Sequence, residues 1–412
     1  MTHLNPLADR ASSRRRFLVG SGVLGAGIVA APAWAETMVD LGLPGGPSGR
    51  PMTSAFPGKQ NMILQRTRPP LLETPMEVFD QAMFTPNDRF FVRWHWADIP
   101  TSIDVTSFRL SVHGGVDRQL SLSLADLLAM PRVELAAINQ CSGNSRGLFE
   151  PRVSGGQWRH GAMGNAKWVG VSLRHVLDMA GVKPGALAVR FSGLDQPVVP
   201  TAPDFAKSLS IDHARDGEVM IAFLMNGEQL PLLNGFPLRL IVPGWYSTYW
   251  VKMLNEIEVL DQPDQGYWMA QAYKVPATPF ASVKPGEKNF PAVPISKMIP
   301  RAWITNIADG ASVAFQSKLP VGGIAMGGDT GVTRVDLSSD GGHNWTPAQL
   351  GPDLGKYSFR RFDGSVTPSA RGPLALMARC TNASGVVQSM TPNWNPGGFM
   401  RGCVETTHVV LS

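Results

Sequence analysis

The stretch INQCSGNSRGLF, residues 138–149, holds the most chemically loaded arrangement in the chain. Cys141 closes an apolar run, Val133 to Ile138, and a Gly143-Asn144 turn and Arg146 follow at once. There are only three cysteines in 412 residues, at 141, 380 and 403. A lone cysteine at such a position has three readings. It can be a small buried hydrophobe, a nucleophile that needs a base brought from elsewhere in the fold, or a thiolate ligand to a soft metal centre. The glycine turn and the arginine favour an anion-binding environment, which suits a thiolate. No C-x-x-C, C-x-x-C-H or H-E-x-x-H spacing occurs, which argues against zinc-finger, covalent haem and zincin chemistry. Cys380 and Cys403 are candidates for a pair or for two core thiols, and the residues leave both open.

The elements that position this stretch must come from a globular chain. The composition is 43% hydrophobic and 17% charged, with 43 glycines and 34 prolines, which favours strands and loops over helical bundles. The net charge of +5 includes four arginines and one aspartate within the first 35 residues, so the remainder carries about +2. That is too weak a charge for nucleic-acid binding. Adjacent arginines in Ser13-Arg14-Arg15-Arg16-Phe17-Leu18, an apolar run of about 15 residues and Ala33-Trp34-Ala35 make a twin-arginine export signal cleaved after Ala35. The run is shorter than the roughly 20 residues a membrane span needs. The expected location is the periplasm, reached in folded form. Gly20-Ser21-Gly22-Val23-Leu24-Gly25 fits G-x-G-x-x-G but lies inside this signal with no strand before it, so it is no dinucleotide site.

Beyond residue 35, the sequence predicts an extended arm over 36–75. A mixed α and β region over 76–285 and an all-β region over 286–412 follow. Strands are expected at Phe108–His113, Val133–Ile138, Leu187–Phe191, Val219–Leu224 and Leu238–Val242. Ser123 with Asp126 caps a short helix from Leu124, and Ser172 and Gly181 bracket a second, Leu173 to Ala180. Six prolines between Val275 and Pro300 read as a linker. Beyond it, β-rich runs at Arg301–Ile307, Val332–Leu337, Tyr357–Phe362, Leu374–Cys380 and His408–Leu411, split by Asp340-Gly341-Gly342 and Asp363-Gly364 turns, predict an antiparallel sandwich.

Several motifs in order give these segments a family likeness. CSGNSRGLF resembles the C-A-G-N-R-R segment of the sulfite oxidase family of molybdenum enzymes. Phe90-Phe91-Val92-Arg93-Trp94-His95 is similar to its F-x-x-R-x-H. Trp158 to Ala162 and Ala166 to Gly170 resemble W-x-x-G-A and A-[RK]-W-x-G. MNGEQLPLLNGFPLRLIVPGWYSTYWVKML resembles the central stretch, QAYKVP its tyrosine segment, and VDLSSDGGHNW with KYSFRRF its C-terminal domain. The likeness runs from about residue 75 to 412 and is nearest to bacterial periplasmic sulfite dehydrogenases.

The resemblance implies an α+β fold: a sulfite oxidase-type molybdopterin-binding domain followed by an all-β immunoglobulin-like sandwich that can serve dimerisation. It implies a dioxo molybdenum-molybdopterin cofactor with Cys141 as metal ligand. Arg93, Arg146, Arg360 and Tyr273 would form the substrate pocket, walled by Trp158. Planar guanidinium forks suit an oxyanion. The spacing of Tyr357, Phe359 and Phe362 selects Arg360 over Arg361. His95, Arg239 and Lys252, with Asn234 and the Gly161–Asn165 backbone, would hold the pterin. Where the family has D-H-G-F-P this chain has Leu233-Asn234-Gly235-Phe236-Pro237, so Asn234 brings no charge. The implied reaction is oxidation of sulfite to sulfate, with electrons passed to a separate c-type cytochrome, since no haem domain resemblance is found. The alternative is a sulfane dehydrogenase subunit acting on protein-bound sulfur. No nucleic acid and no membrane span are expected.

Overall fold

A computed structural model describes residues 37–412, so the expected export signal and its cleavage point lie outside the described residues. Residues 37–75 do not form the extended arm expected over 36–75. Met38–Asp40, Gly49–Thr53, Met62–Arg66 and Leu71–Glu73 pair in succession with Val92–Arg93 in a five-stranded antiparallel sheet. The prolines and glycines that suggested an arm are the turns between short strands. The sheet is held by Met62, Leu72, Val92 and Trp94, which pack with Leu233 and Met253 of the central region.

Two further sheets make that central region. One runs in the order Ala206–Ser210, Ala188–Gly193, Leu254–Leu260, Leu110–Gly114 and Leu120–Leu122. Its Leu254–Leu260 and Leu110–Gly114 strands are parallel, and the other pairs are antiparallel. The other sheet is built on the long hairpin of Arg132–Gln140 and Met163–Ser172, to which Met220–Met225 adds. The expected buried run at Val133–Ile138 is exposed in its first half and buried only from Ala137 onward, so one strand serves both surface and core. The helix Leu124–Ala129 carries the expected capping box, with Ser123 and Asp126 bonding reciprocally. The helix Leu173–Ala180 buries Leu173, Val176, Leu177 and Ala180, at spacing that puts them on one face, and stops at Gly181 with φ of 70°. Ser172 makes no side-chain cap there.

The C-terminal region is a two-sheet sandwich. Arg301–Ile304, Leu319–Met326, Arg360–Val366 and Gln349–Leu350 form one sheet. Ala311–Val313, Thr406–Leu411, Gly372–Asn382, Val332–Ser338 and Thr346–Pro347 form the other. Ala302, Val321, Ala325 and Phe362 from the first meet Val335, Leu337, Leu376 and Val409 from the second. The strand Leu319–Met326 went unpredicted, because its Gly322-Gly323 pair reads as a turn. The proline-rich stretch before the sandwich is not a free linker. Lys274–Pro276 pairs with Ala292–Pro294, and Ile295 and Met298 are buried in the central core. Trp303, Ile324, Met326, Tyr357 and Phe359 join that same core, so residues 37–412 pack as one unit. Among the described residues, no helix is long and apolar enough to cross a membrane.

The join between the N-terminal sheet and the long hairpin is tight. Gly161 donates its N–H to Glu73 Oε1 at 2.8 Å, and its carbonyl accepts from Thr74 N at 3.1 Å. A Cβ on Gly161 would sit 1.8 Å from the Thr74 carbonyl oxygen. Gly161→Ala should therefore lower stability by about 2 kcal/mol through forced backbone displacement. A shift in the urea midpoint at unchanged slope would show it, and an unchanged midpoint would contradict it.

Candidate functional site

Cys141 sits where the hairpin register places it. The pair Gln140↔Met163 ends the ladder, and Cys141 then donates its N–H to Ala162 O at 2.9 Å. Its own carbonyl accepts from Asn144 N at 2.9 Å, which closes the turn. Asn144 Oδ1 accepts from Ala162 N at 3.0 Å and ties the turn back to the partner strand. Ser145, at φ of 67°, turns the chain into the short helical turn Arg146–Leu148. The Arg146 guanidinium donates to Gly397 O at 3.1 Å and Gly156 O at 3.3 Å and lies 5.1 Å from the Phe399 ring centroid. A Cβ on Gly143 would come within 2.5 Å of that guanidinium, so any other residue there would push Arg146 out of this position. Burial lowers the pKa of Arg146, and Cys141 and Tyr273 partly offset this.

Around the thiol the fold gathers cations from four separate elements. Arg93 ends the last strand of the N-terminal sheet, its guanidinium 5.9 Å from the Tyr273 ring centroid and its Nη1 without a partner. Arg239, 3% exposed, lies against the Trp168 and Trp250 rings at 5.3 and 5.7 Å. It donates to Asn234 O at 3.0 Å and Asn139 Oδ1 at 2.8 Å, and its Nε is unpartnered. Burial pushes its pKa down to about 9. Lys252 stands over the Trp94 ring at 4.3 Å, its pKa lowered to about 7 by desolvation and then by Arg239. Asp195 is the carboxylate that acts on it. Its own carboxyl is buried, its Oδ2 has no partner, and desolvation raises its pKa to about 6. Arg93, His95, Lys252 and Tyr273 keep partial exposure, so the edge of this cluster is reachable from solvent.

His95 and Tyr273 form a dyad at this recess, with Nε2 and Oη 2.6 Å apart. The imidazole is stacked on Phe205, with ring centroids 3.5 Å apart. Burial first, and then Arg93, Lys252 and Lys207, hold its pKa well below the ordinary histidine range, so the ring is neutral. Burial raises the pKa of the Tyr273 phenol, which keeps its proton. Tyr273 itself adopts φ of 53°, a left-handed backbone that aims the ring inward against Phe399 at 5.4 Å.

Several residues expected in this site stand elsewhere. Arg360 donates to Gly351 O and Val332 O and lies 3.6 Å from Asp353, all within the sandwich. Its neighbour Arg361 bonds Asp80. Strand alternation sends both guanidiniums to partners outside the recess. Asn165 spends its side chain on Met83 O and Ser358 Oγ, so it joins the central hairpin to the sandwich. The Gly161 N–H is already taken by Glu73. Asn234 accepts from Lys59 Nζ at 2.5 Å and donates to Phe91 O at 3.1 Å. It is a scaffold residue, and its contact to the site is the carbonyl that orients Arg239. Trp158 is 1% exposed and holds the Cys141 loop from behind, its carbonyl accepting from Gly147 N at 2.9 Å.

Other site residues went unpredicted. Lys207 is fully buried and donates to Trp268 O at 2.7 Å. Its ammonium lies 4.5 Å from the Tyr249 ring and 5.6 Å from that of Tyr273. Asn139, Asn144 and Thr248 present unpartnered polar atoms in this part of the interior. A lysine within the alternating strand Ala206–Ser210 reads as a surface charge, and only burial reveals it. Cys380 and Cys403 are free buried thiols in the sandwich, and burial pushes their pKa values up to about 12 and 11.

A recess with this excess of buried positive charge and unpartnered donors is built for a polyanion. Comparison with known proteins agrees. Residues 96–268 match the oxidoreductase molybdopterin binding domain. The mitochondrial sulfite oxidase of Rattus norvegicus is 32% identical over 359 residues, covering 83% of this chain and 64% of that protein. The sulfite oxidase of Gallus gallus is 32% identical over 374 residues, covering 86% of this chain and 78% of the relative. The chain belongs to the sulfite oxidase family. It spans 64% of the length of the rat relative and 65% of that of Homo sapiens. The sulfane dehydrogenase SoxCD from Paracoccus pantotrophus shares the fold, with a TM-score of 0.69 over 87% of each chain at 24% identity.

The family's cofactor is the molybdenum–molybdopterin group, and the residues present fit it. A soft thiol stands at the rim of the recess for the metal. The unpartnered nitrogens of Arg239, Asn139 and Asn144, with the Lys252 ammonium, would serve as donors to the pterin and its phosphate.

Two lysines of the site titrate early when it is empty. Burial pushes Lys207 and Lys252 down to about 7 from 10.5. Between these values the unfolded chain holds lysine protons that the folded chain has released. The stability of cofactor-free protein should therefore rise from pH 7 to 9, by up to about 1.4 kcal/mol per pH unit for each lysine. Denaturant melts at the two pH values check this. Lys252→Met should flatten the rise, and a slope unchanged in that variant would remove Lys252 from the account.

Proposed function

We propose that the protein is a sulfite dehydrogenase: sulfite and water become sulfate, two protons and two electrons, and the electrons leave one at a time to a c-type cytochrome. The observation that carries this reading is the set of guanidinium and ammonium groups around Cys141, among them Arg93 and Arg146, which have no ion-pair partners among the described residues for a small dianion to displace. Sulfite is compact, oxygen-rich and doubly charged above neutral pH, and forked donors at a partly desolvated recess bind such an anion strongly.

When bound, the molybdenum centre supplies the oxygen atom transferred to sulfur and accepts the electron pair. Cys141 would ligate the metal. Arg239 and Lys252 would hold the pterin phosphate. Arg93 and Arg146 would draw sulfite in and fix its oxygens. The Tyr273 hydroxyl, kept protonated by burial, and neutral His95 at 2.6 Å make a donor–acceptor pair able to pass a proton from the incoming water toward the recess mouth. Export through the twin-arginine pathway to the periplasm, with the cofactor already in place, is part of the same reading. So is the sandwich as an immunoglobulin-like module used for dimerisation.

Purified protein should contain molybdenum and show sulfite-dependent reduction of cytochrome c. Cys141→Ser should abolish turnover while leaving the protein folded, and a variant that oxidises sulfite like the parent would sink the ligand role. Arg93→Met should raise KM for sulfite about 30-fold, about 2 kcal/mol for a lost charge-assisted contact. Arg360→Ala, remote in the sandwich, should leave that KM unchanged. Oxidation of protein-bound sulfane sulfur without oxidation of free sulfite would instead favour a sulfane dehydrogenase.

A further inference from the structure

The dyad at the recess does not end at Tyr273. Its ring centroid is 6.2 Å from that of Trp268, and the Trp268 and Tyr267 centroids are 5.1 Å apart, edge to face. Trp268 also meets His95 at 5.0 Å and Trp96 at 5.9 Å. Tyr267, the outer end, is 44% exposed. A continuous series of touching π-systems thus runs from the site to solvent, and it is held rigidly. Lys207 grips the Trp268 carbonyl from below, and Trp268 Nε1 donates to Pro203 O at 3.3 Å.

The surface where the series emerges is unusual in two respects. The loop carrying Pro203 leaves Val198 58% exposed and Val199 49% exposed, so three apolar side chains face water on neighbouring segments. Exposed apolar groups of this kind, ringed by polar ones, mark interaction sites. The ring is acidic. Asp98 follows Trp96, Asp204 follows Pro203, and Asp264 precedes the Tyr267 turn, donating nothing and accepting from Gly266 N at 2.7 Å. None of the three has an ion-pair partner among the described residues. Such an acidic rim selects a partner of opposite charge and steers it.

We infer that the face formed by Tyr267, Val198 and Val199 is the docking site for a one-electron haem carrier with a lysine-rich surface, and that the Tyr273–Trp268–Tyr267 series is the path by which electrons reach it. The inference rests on the sulfite-dehydrogenase reading for its electron source. Each sulfite oxidised yields two electrons, which reduce two ferric haems to ferrous in successive encounters. The rings conduct and are left neither oxidised nor reduced. Electronic coupling falls off steeply across gaps, so contiguous rings make a better exit than the same distance through saturated groups or water.

The test uses the full cofactor-loaded protein with two oxidants and one binding measurement. In calorimetry without sulfite, a basic ferricytochrome c should bind at low salt, and an acidic c-type cytochrome should not. Asp98→Lys with Asp204→Lys should weaken binding of the basic cytochrome at least about tenfold and reduce its salt dependence. Tyr267→Leu should slow reduction of the basic cytochrome about tenfold, and Tyr267→Phe should restore it. Turnover with ferricyanide, which needs no docking face, should stay within about twofold of the parent in the Tyr267 variants. Unchanged cytochrome affinity and rate in the charge-reversed protein would overturn the face. An unchanged rate in Tyr267→Leu would overturn the path. A parent protein that fails to oxidise sulfite even with ferricyanide would refute the parent reading, while the calorimetry would still decide the face.

Discussion

Arg239 is held between Trp168 and Trp250 with one nitrogen unpartnered and, among the described residues, no carboxylate in contact, and Lys252, Arg93 and Arg146 surround the same recess. Removing that much positive charge from water costs several kcal/mol for each ion unless an anion offsets it. This uncompensated charge is the constraint on which the rest of the structure depends. The indole faces around Arg239 and Lys252 offset part of the cost through their electron-rich surfaces. The remainder is left for a bound polyanion, which makes the fold's stability and the cofactor's affinity two sides of one balance.

Because the charges come from distant segments, the scaffold must be stiff enough to keep mutually repelling groups together. The hairpin Arg132–Gln140 and Met163–Ser172 is its spine. Glu73 clamps one end through the Arg159 and Gly161 amides, and Asn165 bridges the middle to Met83 and Ser358. The C-terminal segment closes the back of the site, where Gly397 and Phe399 grip Arg146 and Met400 N bonds Ser142 O at 3.0 Å. The sandwich region is therefore structurally part of the site, although the arginine expected from it, Arg360, serves the sandwich alone.

The elements legible in the sequence were those whose signals are local. The capping box at Ser123, the apolar face of Leu173–Ala180 and the strands with regular alternation are set by neighbours within a few residues. Elements that depend on distant partners were misread. The N-terminal strands and the 275–300 segment are rich in proline and glycine, and their pairing is invisible until the facing strand is in place. The glycines of Leu319–Met326 likewise hid a strand in which Gly323 lets Trp303 O and Phe362 approach closely.

For the site, motif order alone named Cys141, Arg93, His95, Arg146, Tyr273, Arg239 and Lys252, because their chemistry is carried by residue type and fixed spacing along the chain. Tertiary structure decided which groups face one another. It assigned Arg360, Asn165 and Gly161 to the scaffold and Asn234 to Lys59, and it brought in Lys207 and the ring series through Trp268. A side chain's type is written in the sequence. Its direction, its desolvation and its partner depend on strands hundreds of residues away, and those three properties decide whether a charge holds the fold together or waits for a ligand.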